Sequence, residues 1–367
     1  MRRHVIMKRI TFCALLMTLF LLLSCGSGQQ PQAGNGGSAG GEQQGVGSLS
    51  SVLMEVGRSA ENAFYSFLEL LSDTLGFTAK STTKKEDVGA YFSSLGAKLG
   101  VASAELEQVA KKSETDVDKG DLNKVIRSAV DTAKTTLNTL KGHLESLGQV
   151  GDSKPVGDAE TTAKQGTAAD ATELKKAFNS LKEIVKAATD SGVQELKAGT
   201  TTLSIDNVDN KDGAKILGTD SAAAAADVSK AAVILAAVSG EEILKSIIES
   251  QENDAVAGVS SNADVNTSAL KFAKGGTNNH VSNAHTPKAA AVAGGIALRS
   301  LVKTGKLSAG AAANSAGGQG EVQKIGVTAA NKLLKAVEDV IKKTVKNVLE
   351  KAKGEIDKAR ATKPEGQ

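Results

Sequence analysis

The sequence predicts an all-α fold, an elongated bundle of long amphipathic helices broken by irregular loops that carry one or two very short strands. Three observations predict it. Apolar residues recur every three or four positions over long stretches near both ends of the chain, the period of a helix buried along one face. The composition is rich in small and straight-chain residues and poor in aromatics, with no Trp, two Tyr and eight Phe in 367 residues. Of the two cysteines, Cys13 and Cys25, at most one survives the processing described next, so no disulfide supports the body.

The amino terminus opens with Arg2, Arg3, Lys8 and Arg9, followed by an apolar run from Ile10 to Leu23. That run is shorter than the roughly twenty residues needed to span a hydrocarbon core as a helix. A basic start, a short apolar centre and a small residue at its end describe a secretory signal over 1–24. Met1 and Met7 both suit initiation. Leu22-Leu23-Ser24-Cys25 reads as a lipobox, with Cys25 as the lipid-attachment residue. Its thiol would take a diacylglyceryl group and, after cleavage, its amine an acyl chain. Two or more chains hold a protein where one holds it only marginally. The alternative is an ordinary cleaved signal followed by an incidental cysteine. Residues 25–48, rich in Gly, Gln, Ser and Asn, form a flexible tether. It would place the body roughly 25 Å from the lipid on average.

The body, 49–367, reads as a single helical domain. A first helix collects Leu49, Val52, Leu53, Val56, Ala60, Phe64, Phe67, Leu71 and Leu75 on one face, with Gly76 as its stop. A second opens near Lys84 and carries Val88, Phe92, Leu95, Leu99, Ala102, Leu106 and Val109. A third runs from Asp121 to Gly148, with Leu122, Val125, Ile126, Ala133, Leu137, Leu140 and Leu144 inward. Short connections favour antiparallel packing. Loops are expected near 151–169, 199–220, 251–286 and 306–320, the first of them exposed. Between them lie a helix over 172–188, a β-prone run from Thr200 to Ile205, and a helix over 222–237. Ser239-Gly-Glu-Glu242 offers a capping box for another helix to Ser250, and 269–273 suits one short turn. Thr286-Pro287 predicts a helix start with Thr as cap and Pro in the first turn. The last helix, 322–359, buries Ile325, Leu333, Leu334, Val337, Ile341, Val345 and Leu349. Pairing it with the first helix near the tether would put the loops at the membrane-distal end, where labels at Asn210 or Asn278 should react.

The chain holds 44 basic and 41 acidic residues, and removing the four signal positives leaves 40 against 41. Nucleic-acid binding, which needs a concentrated positive surface, gains no support. Ala222 to Val238, the longest later apolar stretch, is interrupted by Asp227 and Lys230, so no membrane span is expected there. His143, His280 and His285 lack a metal-ligand spacing. Ser300-Leu-Val-Lys303 and Lys303-Thr-Gly305 overlap on one helix end, whereas β-lactamase chemistry needs such motifs on separate elements. Gly317-Gly-Gln-Gly320 follows no buried strand. No enzyme activity, cofactor or metal is expected. Between Glu321 and Lys363 there are eleven basic and six acidic residues. Lys342, Lys343 and Lys346 are the candidate contacts there for an anionic ligand such as a host glycan, against the plainer reading of a solvated face.

Met-Lys-Arg-Ile-Thr-Phe-Cys-Ala-Leu-Leu-Met-Thr-Leu-Phe-Leu-Leu-Leu-Ser-Cys, from Met7 to Cys25, resembles the signal of the variable large proteins of relapsing-fever Borrelia. The stretches from Lys230 to Leu244 and from Gly295 to Leu307 strengthen the likeness, and the second is similar to a helix-plus-turn in the related variable surface antigen of Lyme spirochaetes. The resemblance implies a surface-exposed outer-membrane lipoprotein expressed one version at a time, its switching a means of immune evasion by antigenic variation. Its partners would be outer-membrane lipid, through the acyl anchor, and host antibodies. An adhesin built on the same body, with host glycans as partners, is the alternative.

Overall fold

The computed structural model describes Arg58, residues 75–113 and residues 121–361, all within a unit spanning Gly45–Gln367. The expected signal, Cys25, the tether and almost all of the first helix lie outside the described residues. Helices dominate: α1 Lys85–Ser113, α2 Asp121–Leu147, α3 Ala171–Asp190, α4 Ala225–Ala236, α5 Gly240–Ile248, α6 Asp254–Ala257, α7 Ala269–Lys274, α8 Asn278–Val281, α9 Ala289–Leu301 and α10 Gln319–Ala361. A two-stranded antiparallel hairpin, β1 Ser204–Ile205 and β2 Val208–Asp209, precedes a 3₁₀ helix, Lys211–Leu217. No described helix is long and apolar enough to cross a membrane.

The long helices form where the apolar period is longest. α1 buries Val88, Phe92, Leu95, Leu99, Leu106 and Val109 against α2, which answers with Ile126, Val130, Leu137, Leu140 and Leu144. α10 packs along α2, α3, α5 and α9, burying Leu333, Leu334, Val337, Ile341, Val345 and Leu349. Each such side chain withdrawn from water contributes on the order of 1.5–3 kcal/mol, offset by the entropy of ordering it. α3 starts where Asp170 accepts the Glu173 N–H at 3.0 Å, and α5 where Ser239 and Glu242 exchange hydrogen bonds as a capping box.

The structure corrects several local expectations. Val125, placed inward by the period, is 41% exposed, because it borders an open groove between α2 and α10. Residues 151–169 form no helix, as expected, yet they are not an exposed loop: Val156, Ala159 and Ala169 are buried, and the segment pairs with 306–309. Only the last two residues of 200–205 form a strand, and the expected loop after it folds into the return strand and the 3₁₀ helix. Ala214, Ile216 and Leu217 are buried there. Asn210 is only 3% exposed, and its amide donates to the Val208 carbonyl at 2.8 Å, so it is not a reactive loop position. Thr286 and Pro287 do not start a helix. Pro287 offers its carbonyl to the Leu203 N–H, Lys288 bridges Thr202, and the helix begins at Ala289. Tertiary pairing with an extended neighbour outweighs the local helix-start signal.

Candidate functional site

The loop-bearing part of the body is organised around α9. Every residue from Ala289 to Leu301 is buried. A helix buried on all sides needs small residues where neighbours come close, and Gly294 and Gly295 supply them. A Cβ on Gly295 would lie 2.5 Å from the Phe272 Cβ of α7, and one on Gly294 would lie 2.9 Å from the Ala269 Cβ. α7 therefore rests on the α9 backbone itself.

Two buried cations fasten the loops to this helix. Arg299 is fully buried. Its Nε donates to the Ala273 carbonyl and its Nη1 to that of Leu217, both at 2.9 Å; Nη2 reaches the Phe272 carbonyl at 3.4 Å. It thus closes the carboxyl ends of α7 and the 3₁₀ helix, whose last carbonyls lack intrahelical donors. Burial pulls the guanidinium down to about 9. Lys85, 1% exposed, donates to the carbonyls of Val302 and Gly305 at 2.9 and 2.6 Å. Burial pulls its ammonium down to about 8, against the opposing field of Asp152 and Asp158. Thr304 takes a left-handed backbone (φ 62°) between those two carbonyls, with its N–H donated to Asp152 and its hydroxyl to the Ala168 carbonyl.

On this base sit short polar segments. The hairpin turns at Asp206 and Asn207, both at positive φ, which polar Asp and Asn tolerate and a two-residue turn requires. Residues 206–209 are exposed, and Val208 reaches 59%. Lys306 pairs with Glu160 at 3.2 Å, and Lys303 faces Glu173 at 3.5 Å, so much of the local charge is neutralised within the body. The geometry is that of a rigid platform bearing polar surface.

The residues expected to carry a site are placed as follows. Cys25 lies outside the described residues. Lys342, Lys343 and Lys346 are exposed on α10, and Lys346 lies 3.7 Å from Glu350 one turn on. His143 sits on α2, apart in sequence from His280, which is partly buried within α8, and from the exposed His285. Among the described residues no group of three or more His, Cys, Asp and Glu could hold a metal ion. An open groove of about 400 Å³ between α2 and α10 is lined by Val125, Ala129, Thr132, Val348 and Ala352. Arg299 and Lys85 escaped the sequence reading, since a helical Arg and Lys ordinarily face solvent and only the burial of α9 and of the α1 start marks them.

Comparison with known proteins bears on the whole chain. A family model described as Borrelia lipoprotein matches residues 60–356. The chain is 62% identical over 367 residues to variable large protein 7 of Borrelia hermsii, covering 99% of this chain and 98% of that protein. It is 60% identical to variable large protein 21 of the same organism, with full coverage of both. The fold is shared with the crystal structure of the Lyme disease variable surface antigen VlsE of Borrelia burgdorferi. There the TM-score is 0.68 and the identity 23%, over 85% of this chain and 99% of that one.

Proposed function

The chain belongs to the Borrelia lipoprotein family, and from that premise we propose that it is a surface-exposed lipoprotein antigen, one replaceable version among many. Cys25 would carry the diacylglyceryl thioether and an acylated amine, holding the body at the outer membrane. The helical body would then serve as a rigid support whose exposed side chains meet host antibodies. Switching to another version would replace those side chains while the support persisted, which is immune evasion by antigenic variation. The proposal assigns the protein no catalytic step and no cofactor.

One observation carries this reading: a full-length match at 62% identity to a protein named as variable. Roughly four positions in ten therefore differ between two chains of one architecture. The packing constrains where such differences are tolerated. At Gly294, Gly295 or Leu298 a change meets close-packed neighbours and costs stability, whereas exposed positions are usually within about 0.5 kcal/mol of neutral. Variation confined to solvent-facing positions is what an antibody reads. Mass spectrometry of the native protein should find Cys25 acylated. Sera raised against the folded chain should bind intact cells displaying it and bind the 60%-identical relative much more weakly. Equal binding to both, or an unacylated Cys25, would overturn the reading.

A further inference from the structure

The exposed hairpin tip does not stand alone. Its base is set against residues 283–288, which connect α8 to α9. Thr202 and Lys288 face each other in an antiparallel bridge, and the Ala289 N–H donates to the Thr201 carbonyl at 2.8 Å. The Leu203 N–H donates to the carbonyls of His285 and Pro287 at 3.0 and 3.1 Å. Leu203 is fully buried, and its own carbonyl takes the Asn210 N–H at 2.9 Å, so the far end of the hairpin is tied to the same point. The second segment is also held from its other side, where Val281 is buried and the Ser282 hydroxyl donates to the Asn278 carbonyl at 2.7 Å. Beyond these anchors both segments reach solvent: residues 206–209 are exposed, and so are Asn283, His285 and Thr286. The two meet electrostatically as well. Partial desolvation pushes the Asp209 carboxyl up, but hydrogen bonds from Lys211 and the charges of Lys211 and His285 bring it below the ordinary carboxylate range.

We infer that residues 206–209 and 283–286 form one discontinuous antibody determinant, read as a unit and only in the folded chain. The inference rests on the proposed function, which makes the antibody the partner of the exposed surface. Val208, 59% exposed, is the apolar point of the patch, and its neighbours Asp206, Asn207 and Asp209 are polar, as is nearby His285. An apolar point within a polar rim concentrates binding energy at such interfaces, where Tyr and Trp of the paratope supply rigid anchors. An antibody covers about 800 Å² of its partner, some 20–30 residues. The tip is too small to fill that footprint, so a paratope seated on Val208 extends onto the segment that Leu203 holds beside it. Attachment to the platform orders both segments before binding, which lowers the entropy cost of recognition. A short hairpin cut from the chain is marginally stable at best, so a peptide does not hold Asp206 and Asn207 at their positive φ.

For the test, serum raised against the folded, unlipidated mature chain is passed over immobilised Val208→Asp protein, and the antibodies that flow through are collected. They should bind the wild type and a Lys342→Ala control equally, and His285→Ala at least about tenfold more weakly. Peptides spanning 200–211 or 281–289 should not displace them. Circular dichroism checks the fold of each variant, and Val208→Ser or Thr286→Lys replaces one that does not fold. A flow-through that does not bind the wild type, that binds His285→Ala as tightly, or that either peptide displaces in full would overturn the inference. Unfractionated serum on intact cells displaying the chain reads the proposed function separately. Binding there without a Val208-dependent fraction refutes the joint determinant alone.

Discussion

Gly142 and Gly295 both lie inside helices, and the same substitution should move stability in opposite directions at the two. Glycine costs about 1 kcal/mol relative to alanine in a helix interior, so Gly→Ala gains that amount wherever the added methyl meets nothing. At Gly142, exposed on α2, no foreign heavy atom lies within 4 Å of the added Cβ. Gly142→Ala should therefore stabilise by about 0.5–1 kcal/mol. At Gly295 the new Cβ would meet the Phe272 Cβ at 2.5 Å, the Phe272 carbonyl carbon at 2.9 Å and the Ala273 N at 3.0 Å. None of these is the free end of a flexible chain, so α7 must move away by about 1 Å. Arg299 resists that movement, since it holds the carbonyls of Phe272 and Ala273. Overpacking of this kind costs about 1–3 kcal/mol, and the extra strain on those charged hydrogen bonds outweighs the helix-propensity gain. The net expectation for Gly295→Ala is a loss of about 1–2 kcal/mol. Urea unfolding followed by far-ultraviolet circular dichroism, with unchanged slopes, measures both. A Gly295→Ala protein as stable as Gly142→Ala would refute the account of α7 resting on the α9 backbone.

Lys85 gives a pH signature. Its pKa is about 8 when folded and lies at the ordinary 10.5 when unfolded. Below pH 8 both states hold the proton and the burial penalty is paid in full. Between 8 and 10.5 the folded state sheds it first, so stability should rise with pH by up to about 3 kcal/mol relative to Lys85→Met, which lacks the term. A parallel pair of pH profiles would contradict this. Cysteine at Asn207, on the exposed hairpin tip, should react with a thiol reagent in the folded protein, whereas cysteine at buried Asn210 should react only on unfolding; equal rates would place the hairpin wrongly. Exchanging Lys342, Lys343 and Lys346 for Gln should leave urea stability within about 0.5 kcal/mol per site, as expected for exposed side chains. Loss of heparin retention by that variant would give the lysine face a ligand.

The long helices were legible because their signal is local and repeated. From Val88 to Val109, and again from Ile325 to Leu349, the apolar residues named from periodicity are the buried ones. Caps were legible for the same reason, as at Ser239 and Glu242, which need only each other. The hydrogen bonds that hold residues 76–81 on α10 were not legible. Glu338, Asn331 and Gln323 read as ordinary polar positions on a charged helix, and their partners lie some 240 to 260 residues away in sequence. Nor was the full burial of α9, whose Gly pair reads from propensity as a weakness. The middle loops were misjudged similarly: Gly and Thr mark the absence of helix over 151–169 but not its burial, and elsewhere short helices such as Asp254–Ala257 and Asn278–Val281 form inside the expected loops.

The sequence by itself therefore determined what depends on neighbours in the chain: the helical class, the long amphipathic faces, and a family likeness spread over the whole length. Tertiary structure alone decided which small residues are obligatory, which cations are buried, where helices begin against an extended partner, and how residues 76–81 are held on α10. The physical reason is range. Periodicity and capping act within a few residues, whereas burial and close contact depend on what the rest of the fold brings alongside.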